Sequence, residues 1–570
     1  MICFDAYFSD KRIIDHLCKL RASDAQKRHE KQFYRNISYK ASNPHLIRSK
    51  VDQFLPSRKQ WFRPQLKDRK NKSAFKVNAL AIKKTIEYKE RHGSAHNETW
   101  YKQLQEFITK IRIAALQDGN YKILEPTIIP VEKDKKNGIY RPLAMYELED
   151  RMIISLTATY LRDIFDDDFL DCSYAFRAKA KSPRKTPTHH HAVKDILNYV
   201  RKFKGKKLFV AECDITKFYD TVHHEVALNA LERAIKRANA RGITVDSRAI
   251  AIFRSFLNSY TFVKTAKVQA DEWFKQHKIE GIIKWAEKEL EQYYEDLSME
   301  PIGVPQGGAL SPLIANLVLD EADRCVIQNT SNPDEYLFFA RYCDDMIIIH
   351  PDKRKCEQAF KRYISSLQNA KLAIHKPLAI GKYGKEYYSH KSKKPYLWDN
   401  PEGRNNVAPW VSFLGYQIRY DMKIRVRKGS LERELEKQVK VADKIIEILT
   451  SKNKVSTKTR GQILFRLTNK LISMSVGRIK LGVDENHDLQ QFCWSSGFKL
   501  LKEFDNIGTQ LKQLDRNRER QLSRIKRKLD AHDIEYIDPI ENIKAPKFCG
   551  APFSYYSQYL NGEDQKDHGH

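Results

Sequence analysis

The spacing of apolar residues predicts strands in the middle of the chain and helices towards both ends. Short apolar runs bounded by turn residues have the composition of strands: ILEPTIIPV, IYRPLAMY, KKLFVAECD, EYLFFARY, MIIIH and VSFLGYQIRY. Asn137-Gly138 lies between the first two runs and predicts a two-residue hairpin turn. Lys133, Lys135 and Lys136 would then lie at the exposed tip of this hairpin.

Helical spacing replaces the strand pattern elsewhere. The run LEDRMIISLTATYLRDIF and the charged segment from about 225 to 300 are predicted to be mostly helical. Ser311 suits the N-cap and Pro312 the first position of a helix that follows a glycine-rich loop. Towards the C-terminus, one helix face is predicted from its apolar residues, which are Leu431, Leu435, Val439, Ala442, Ile445 and Leu449.

The length of 570 residues exceeds what one hydrophobic core supports, so we expect two to four domains. We predict a basic helical extension over residues 1–100, a central α+β region over 101–425 and a helical region over 426–570. No run of about eighteen apolar residues occurs, which predicts that no segment spans a membrane. Acids interrupt the first residues where a signal peptide is apolar, which favours a cytosolic protein.

The net charge of +30 changes this picture most, because it indicates a polyanionic partner such as nucleic acid. Aromatic residues lie among the charges of the N-terminal region, where they are suited to stack on bases: Phe33, Tyr34, Tyr39, Trp61 and Phe62. The alternative is an amphipathic helical domain in which these rings belong to the core. The nine cysteines include no C-x-x-C pair, so a zinc ribbon is not expected.

The run RYCDDMIIIH places Asp344 and Asp345 between two apolar strands. Adjacent carboxylates repel, and burial increases the cost unless a cation neutralises them. Asp214 ends the predicted strand LFVAECD and is the natural third acid. Three carboxylates suit two Mg²⁺ ions, the arrangement used for nucleotidyl transfer, and Mn²⁺ is a possible substitute. The alternative is a metal-free surface turn. The His189–His191 run lacks acids or cysteines at ligand spacing and is interpreted as a solvated loop.

Eight segments in order carry a resemblance to the reverse transcriptases of bacterial group II introns and retrons. They lie between about Leu124 and Arg425 and read IPVEKDKKNGIYRPL, LEDRMI, SYAFR, AECDITKFYDTVHH, GVPQGGALSPLIANLVLD, FARYCDDMIII, LAIHK and FLGY. The resemblance implies an α+β right-hand polymerase with fingers, palm and thumb and with helical N- and C-terminal extensions. Residues 101–425 would form the fingers and palm, and residues 426–570 the thumb and C-terminal extension.

The resemblance also implies roles for individual residues. Asp214, Asp344 and Asp345 would be the catalytic acids that hold the metal ions, with the carbonyl of Ile215 as a further ligand. The implied nucleotide-binding residues are Arg141 and Lys133 in the fingers, Gln306 in the pocket, Tyr219 beneath the sugar and Lys376 near the pyrophosphate. Phe413, Leu414 and Gly415 would grip the primer. Gly307 and Gly308 would let the backbone approach the nucleotide or template closely.

The implied activity is RNA-directed DNA synthesis from dNTPs, with an RNA template and a DNA product. Tyr219 lies five residues after Asp214, where an aromatic ring would clash with a 2′-hydroxyl and favour deoxynucleotides. The alternatives to these functional roles are that Gln306 and Lys376 are surface residues, that Arg141 is a structural ion-pair partner, and that Phe413 and Leu414 belong to the core.

The flanking segments resemble those of antiphage defence reverse transcriptases, also called abortive-infection or unknown-group enzymes. The tail after Thr450 contains only Cys493 and Cys549, too few for the Cys/His endonuclease of many intron proteins. We expect a structured noncoding RNA as the template. Two other hypotheses remain open, a splicing cofactor that binds intron RNA and a non-catalytic RNA-binding scaffold. The sequence predicts no oligomeric state.

Overall fold

The computed structural model describes residues 2–35, 49–69, 74–117, 121–177, 187–327, 334–450, 460–475 and 507–531. The chain divides into two compact units, one formed by Met1–Ile13 with Gln105–Leu414 and the other by Ile14–Leu104 with Gly415–His570. The three-part division at residues 100 and 425 remains a prediction. No helix within the described ranges is long and apolar enough to cross a membrane.

Strands are concentrated in the first unit. In chain order, the strands of the described residues are β1 (Thr127–Asp134), β2 (Ile139–Met145), β3 (Leu208–Cys213), β4 (Ile282–Ile283), β5 (Phe338–Tyr342), β6 (Asp345–His350), β7 (Lys393–Trp398), β8 (Val407–Ala408), β9 (Trp410–Phe413), β10 (Tyr416–Arg419) and β11 (Ile424–Val426).

Helices surround these strands and make up most of the second unit. The described α-helices are α1 (Asp10–Arg35), α2 (Leu66–Arg69), α3 (Ala74–Arg91), α4 (Thr99–Leu116), α5 (Leu148–Phe165), α6 (His189–Lys202), α7 (Phe218–Thr221), α8 (His224–Ala240), α9 (Ser247–Asn258), α10 (Val268–His277), α11 (Glu287–Leu290), α12 (Ser311–Ile327), α13 (Lys353–Asn369), α14 (Lys385–Ser389), α15 (Lys428–Thr450), α16 (Arg460–Ser475) and α17 (Ile507–Ala531). A π-helix spans Phe262–Lys267, and short 3-10 helices span Asp5–Phe8, Lys50–Phe54, Arg58–Gln60, Ser94–Asn97, Lys135–Asn137 and Asp166–Asp168. This mixture confirms the predicted α+β class.

The central sheet has five strands in the order β5-β6-β3-β7-β8. Its first three pairings are antiparallel, and β7 pairs with β8 in parallel. All side chains from Met346 to His350 are buried, so β6 is covered on both faces, and α13 packs against β3, β6 and β7. A strand covered in this way is apolar at consecutive positions rather than alternately, which explains the run MIIIH.

The hairpin of β1 and β2 differs from the predicted one. The strands pair from Thr127↔Met145 to Asp134↔Ile139, so four residues rather than two connect them. Gly138 ends this turn in the left-handed conformation with φ 58°. Lys133 is exposed, as predicted, but it lies at the end of β1 just before the turn, whereas Lys135 and Lys136 lie in the turn itself.

Two other local predictions were also wrong. His189 and its two neighbours form the first turn of α6 rather than a loop, and the His191 ring accepts the Thr188 backbone N–H at 3.0 Å in a capping box. Ser311 is the first residue of α12 rather than the residue before it, and its hydroxyl donates to the Pro305 carbonyl oxygen at 2.6 Å.

The second unit contains a helical core formed by α15, α16 and α17. Its buried apolar residues include Ala442, Ile445 and Leu449, as predicted. Leu435 and Val439 are only half-buried, whereas Gln438 is fully buried and accepts a hydrogen bond from Asn517 at 2.7 Å. The buried face of α15 therefore includes Gln438 and only partly includes Leu435 and Val439, because Asn517 on α17 pairs with Gln438.

The N-terminal aromatic residues separate into different environments. The Trp61 ring is half-buried and its Nε1 donates to the Pro56 carbonyl oxygen at 2.9 Å. Tyr34 packs against the core of α15, α16 and α17. Phe62 is exposed. The side chain of Phe33, all of Tyr39, and the tail with Cys493 and Cys549 lie outside the described residues.

Candidate active site

Asp344 and Asp345 lie at the turn that joins β5 to β6. Tyr342 pairs with Asp345 across this hairpin, so Cys343 and Asp344 form its two-residue turn. Cys343 has a φ of 59°, the left-handed conformation that such a turn requires. The two acids therefore lie at one end of the central sheet, Asp344 partly buried and Asp345 exposed.

Asp214 lies at the same end of the adjacent strand. Cys213 pairs with Met346 across β3 and β6. Because Asp214 follows Cys213 and Asp345 precedes Met346, the two acids are neighbours at the sheet edge. Burial raises the pKa of Asp344, and the negative charge of Asp214 raises it further. The structure thus brings the three predicted acids together.

The three carboxylates do not converge into a preformed cage. Within the described ranges, no group of three or more His, Cys, Asp and Glu side chains is arranged to hold a metal ion. The Asp214 carboxylate instead lies 3.3 Å from Lys391 Nζ and 3.5 Å from His375 Nε2. Because like charges repel, a carboxylate beside two others turns towards the cation within reach.

The donor set nevertheless fits Mg²⁺. The acids provide hard oxygen ligands from two adjacent strand ends. Burial raises the pKa of Asp344 because its negative charge is poorly solvated, and a bound cation would neutralise that charge. Ile215 lies next to Asp214 in an isolated antiparallel bridge with Ile374. That the Ile215 carbonyl binds a metal ion remains a prediction.

Arg341 fixes the hairpin that carries the two acids. Its side chain is fully buried, and its Nε and Nη2 donate to both oxygens of Asp323 at 2.6 to 3.0 Å. Nη2 also donates to Ser173 Oγ at 2.9 Å. Nη1 donates to the Cys343 carbonyl oxygen at 3.0 Å. One planar guanidinium therefore connects α12 to the turn itself.

Four basic side chains share the space near the acids. Burial lowers the pKa of Lys133, as do the positive charges of Arg141 and Lys391. Burial likewise lowers the pKa of Lys217, which also feels Lys133, Arg141 and Lys391. Cations that repel one another at one place favour a polyanion there, and a nucleoside triphosphate is such an anion.

The side of the site next to α7 is formed by Gln306, Asp220 and Tyr219. Gln306 Nε2 donates to Asp220 Oδ1 at 2.7 Å, and the Gln306 carbonyl accepts from the Ala144 N–H at 2.8 Å. The Tyr219 hydroxyl lies 3.5 Å from Cys343 Sγ. The predicted pocket residue Gln306 is thus held between β2 and a buried acid.

The glycines of the PQGG loop have a packing role. A Cβ on Gly307 would lie 2.8 Å from Leu143 and 3.0 Å from the Ala144 carbonyl oxygen, and the φ of Gly307 is 108°. A Cβ on Gly308 would lie 2.5 Å from the Phe256 ring. These close approaches bring β2 and α9 against the loop. The approach to a nucleotide or template remains a prediction.

Asp220→Asn is expected to stabilise the folded chain at neutral pH. Burial raises the pKa of Asp220 from 3.8 to about 6, so the folded state binds this proton more tightly than the unfolded chain. The stability that the proton adds is complete below the unfolded pKa and is lost as the pH rises through about 6. Asparagine carries no charge, so the gain in unfolding free energy should be about 3 kcal/mol at neutral pH and near zero below about pH 4.

Urea unfolding of both proteins at the two pH values measures this difference. Asp271→Asn is the matched control, because Asp271 is an exposed acid at the start of α10. Equal gains for Asp220→Asn at both pH values would contradict the prediction.

The structure does not bring all predicted residues to the acids. Lys376 is exposed, and its neighbour His375 is the residue beside Asp214. Phe413 is buried at the end of β9, and the next two residues have φ values of 50° and 85°. Leu414 and Gly415 therefore form a sharp turn. The pyrophosphate and primer-grip roles remain predictions.

Sequence reasoning missed Lys217, His375 and Lys391 as members of the site. Lys217 lies within DITKFYD, and its φ of 53° is a backbone feature that a sequence pattern does not reveal. Lys391 follows Asp214 by more than 170 residues and reaches it because β7 pairs with β3. No spacing in the sequence signals such a neighbour.

Known proteins resemble the region that contains this site. Residues 133–377 match the family model described as reverse transcriptase (RNA-dependent DNA polymerase). Protein YkfC of Escherichia coli K12 is 28% identical over 212 residues, which are 37% of this chain and 42% of that protein. The group II intron-encoded protein LtrA of Lactococcus lactis is 28% identical over 224 residues, 39% of this chain and 29% of that protein. The chain thus spans less than half the length of these relatives.

Among solved structures, telomerase from Candida albicans, in complex with a fragment of telomeric RNA, has 13% sequence identity and a TM-score of 0.35, and the match covers 82% of this chain and 67% of that one. The matched family region contains the three acids, the hairpin residues Lys133 and Arg141, and the loop with Gln306. Residues 133–377 of this chain are therefore similar in sequence to the reverse transcriptase domain.

Proposed function

We propose that this protein is an RNA-directed DNA polymerase that adds dNTPs to the 3′-hydroxyl of a primer. One observation carries the proposal: three carboxylates from adjacent strand ends lie beside four basic side chains. Two-metal nucleotidyl transfer needs this combination, with acids for the ions and cations for the triphosphate. The sequence match to reverse transcriptases supports it.

Each group has a defined part in the proposed reaction. The 3′-hydroxyl gives its proton to water, its oxygen bonds to the α-phosphorus of the dNTP, and the bond to pyrophosphate breaks. Two Mg²⁺ ions, when bound, supply charge neutralisation for the attacking and leaving oxygens. Asp214, Asp344 and Asp345 hold these ions, while Lys133 and Arg141 bind the triphosphate from the β1–β2 hairpin.

Primer extension on an RNA template tests this activity. Purified full-length protein with Mg²⁺, primer, template and labelled dNTPs should extend the primer according to the template sequence, and Mn²⁺ should substitute. Absence of incorporation with either ion would overturn the proposal and favour a non-catalytic RNA-binding scaffold.

Tyr219→Val is expected to relax discrimination against ribonucleotides. The Tyr219 ring packs edge-on against Phe218, and its hydroxyl lies beside Cys343 in the turn between β5 and β6. Shortening the side chain would remove the proposed clash with a 2′-hydroxyl. The ratio of kcat/KM for dNTP over rNTP should fall about tenfold or more. Tyr219→Phe keeps the ring and should keep the ratio; a fall in both variants would contradict the steric role.

We further propose that the protein acts in bacterial antiphage defence, in the cytosol, by copying a structured noncoding RNA. The support is the resemblance of its flanking segments to defence-associated enzymes and its positive charge. Cells that carry Asp344→Ala should lose phage resistance while the variant accumulates normally. Unchanged resistance would rule out a catalytic role in defence.

A second candidate is a protein of the group II intron type that binds intron RNA. The similarity to the intron-encoded protein LtrA favours it. Sequencing the RNA that copurifies with the protein from its host, together with any cDNA made during infection, distinguishes the two. An intron flanking the gene, recovered as the bound RNA, would favour the intron function; a separate noncoding RNA with its cDNA would favour the defence function.

A further inference from the structure

Three aromatic rings form an exposed stack at the end of α3 in the second unit. The centroids of Phe62 and Tyr88 are 4.6 Å apart, and those of Tyr88 and His92 are 4.0 Å apart with nearly parallel rings. Phe62 is 41% exposed and Tyr88 45% exposed, and His92 is also exposed. Large aromatic rings in contact with each other usually form core, so this solvent-facing stack is unusual.

Hydrogen bonds from the backbone hold the stack in place. The Phe62 N–H donates to Thr85 Oγ1 at 2.8 Å, and Thr85 is fully buried. Tyr88 and His92 lie one helical turn apart, and His92 Nδ1 donates to the Tyr88 carbonyl oxygen at 2.8 Å. The rings are therefore positioned before any ligand arrives, which lowers the conformational entropy lost on binding.

Basic residues surround the stack. Arg63 directly follows Phe62 and is exposed, and Arg91 lies one turn beyond Tyr88 on the helix and is exposed. Several acids of this region already have partners: Asp68 pairs with Lys84, Glu98 with Lys89 and Gln60, and Glu90 accepts from the Tyr101 hydroxyl at 3.1 Å. The local surface thus presents flat apolar rings with positive charge beside them.

We propose that Phe62, Tyr88 and His92 form a platform on which unpaired bases of single-stranded RNA stack, with Arg63 and Arg91 contacting the phosphates. Aromatic rings bind any base through its flat face, and the adjacent cations bind the backbone. The charge complementarity with a polyanion favours RNA over an apolar peptide as the occupant. This RNA-binding site lies outside the matched polymerase region, whose activity it does not require.

Fluorescence anisotropy with labelled oligouridine and full-length protein, without dNTPs, tests the platform. The double variant Phe62→Leu/Tyr88→Leu keeps apolar volume but removes both flat rings, and its affinity should fall about tenfold or more. The slope of log Kd against log salt should stay as in the wild type. Arg63→Gln/Arg91→Gln should instead reduce that slope. Phe62→Tyr/Tyr88→Phe keeps the rings and should bind as the wild type does.

Two further measurements make the result decisive. Ultraviolet crosslinking of oligouridine should label the peptides that contain Phe62 or Tyr88, and binding to heparin should not change in the leucine variant because heparin has no bases. Unchanged oligouridine affinity in that variant, absent crosslinks, or an equal loss of heparin binding would each overturn the proposal. Asp344→Asn should bind oligouridine normally, so failure of the platform and failure of the polymerase function are distinguishable.

Discussion

Asp344→Asn abolishes primer extension while the protein remains folded: this is the expected result with the largest effect on activity. Asparagine is nearly isosteric but removes the negative charge that would hold a divalent cation. Loss of several kcal/mol of transition-state stabilisation lowers the rate about 1,000-fold or more. Initial rates of dNTP incorporation, measured at saturating Mg²⁺, check the prediction.

Stability measurements distinguish this loss from misfolding. Burial and the charge of Asp214 raise the pKa of Asp344, so the charged side chain is unfavourable in the folded state when no cation is bound. In EDTA, the thermal midpoint of Asp344→Asn should equal or exceed that of the wild type. Glu335→Gln changes an exposed acid just before β5 and should alter neither quantity. An active Asp344→Asn protein would remove this residue from the metal site.

Arg341→Met is expected to cause the largest loss of stability in the first unit. The substitution leaves Asp323, which is 1% exposed, as a buried charge without its guanidinium partner. Breaking such a pair costs about 3–5 kcal/mol. Ser173 and the Cys343 carbonyl lose donors at the same time. Urea unfolding, monitored by tryptophan fluorescence, should show that the first unit unfolds at a lower urea concentration than in the wild type.

A double variant separates the buried charge from the lost packing. Arg341→Met/Asp323→Leu removes both ions, and replacing a buried pair with apolar side chains is often neutral for stability. The double variant should therefore recover much of the lost free energy. Its activity should remain low, since the Cys343 carbonyl still lacks the hydrogen bond from Arg341 and the turn between β5 and β6 is held less firmly. Equal stability of the single and double variants would contradict this explanation.

The local sequence determined the parts of the site that are built from one continuous segment. The apolar runs on either side of Asp344 and Asp345 specify a two-stranded hairpin, because β-strands covered by helices are apolar at consecutive positions. Asp214 was predictable for the same reason, since it ends a short apolar strand. The ordered motifs then indicated a reverse transcriptase, and residues 133–377 match the family model of that name.

Only the tertiary structure decided which side chains surround these acids. Lys391 and His375 reach Asp214 through strand pairing and a backbone bridge between distant segments. Gln438 occupies a core position because Asn517 of another helix pairs with it. Local propensity carries no information about partners that are distant in sequence, so these contacts could not be predicted from the pattern alone.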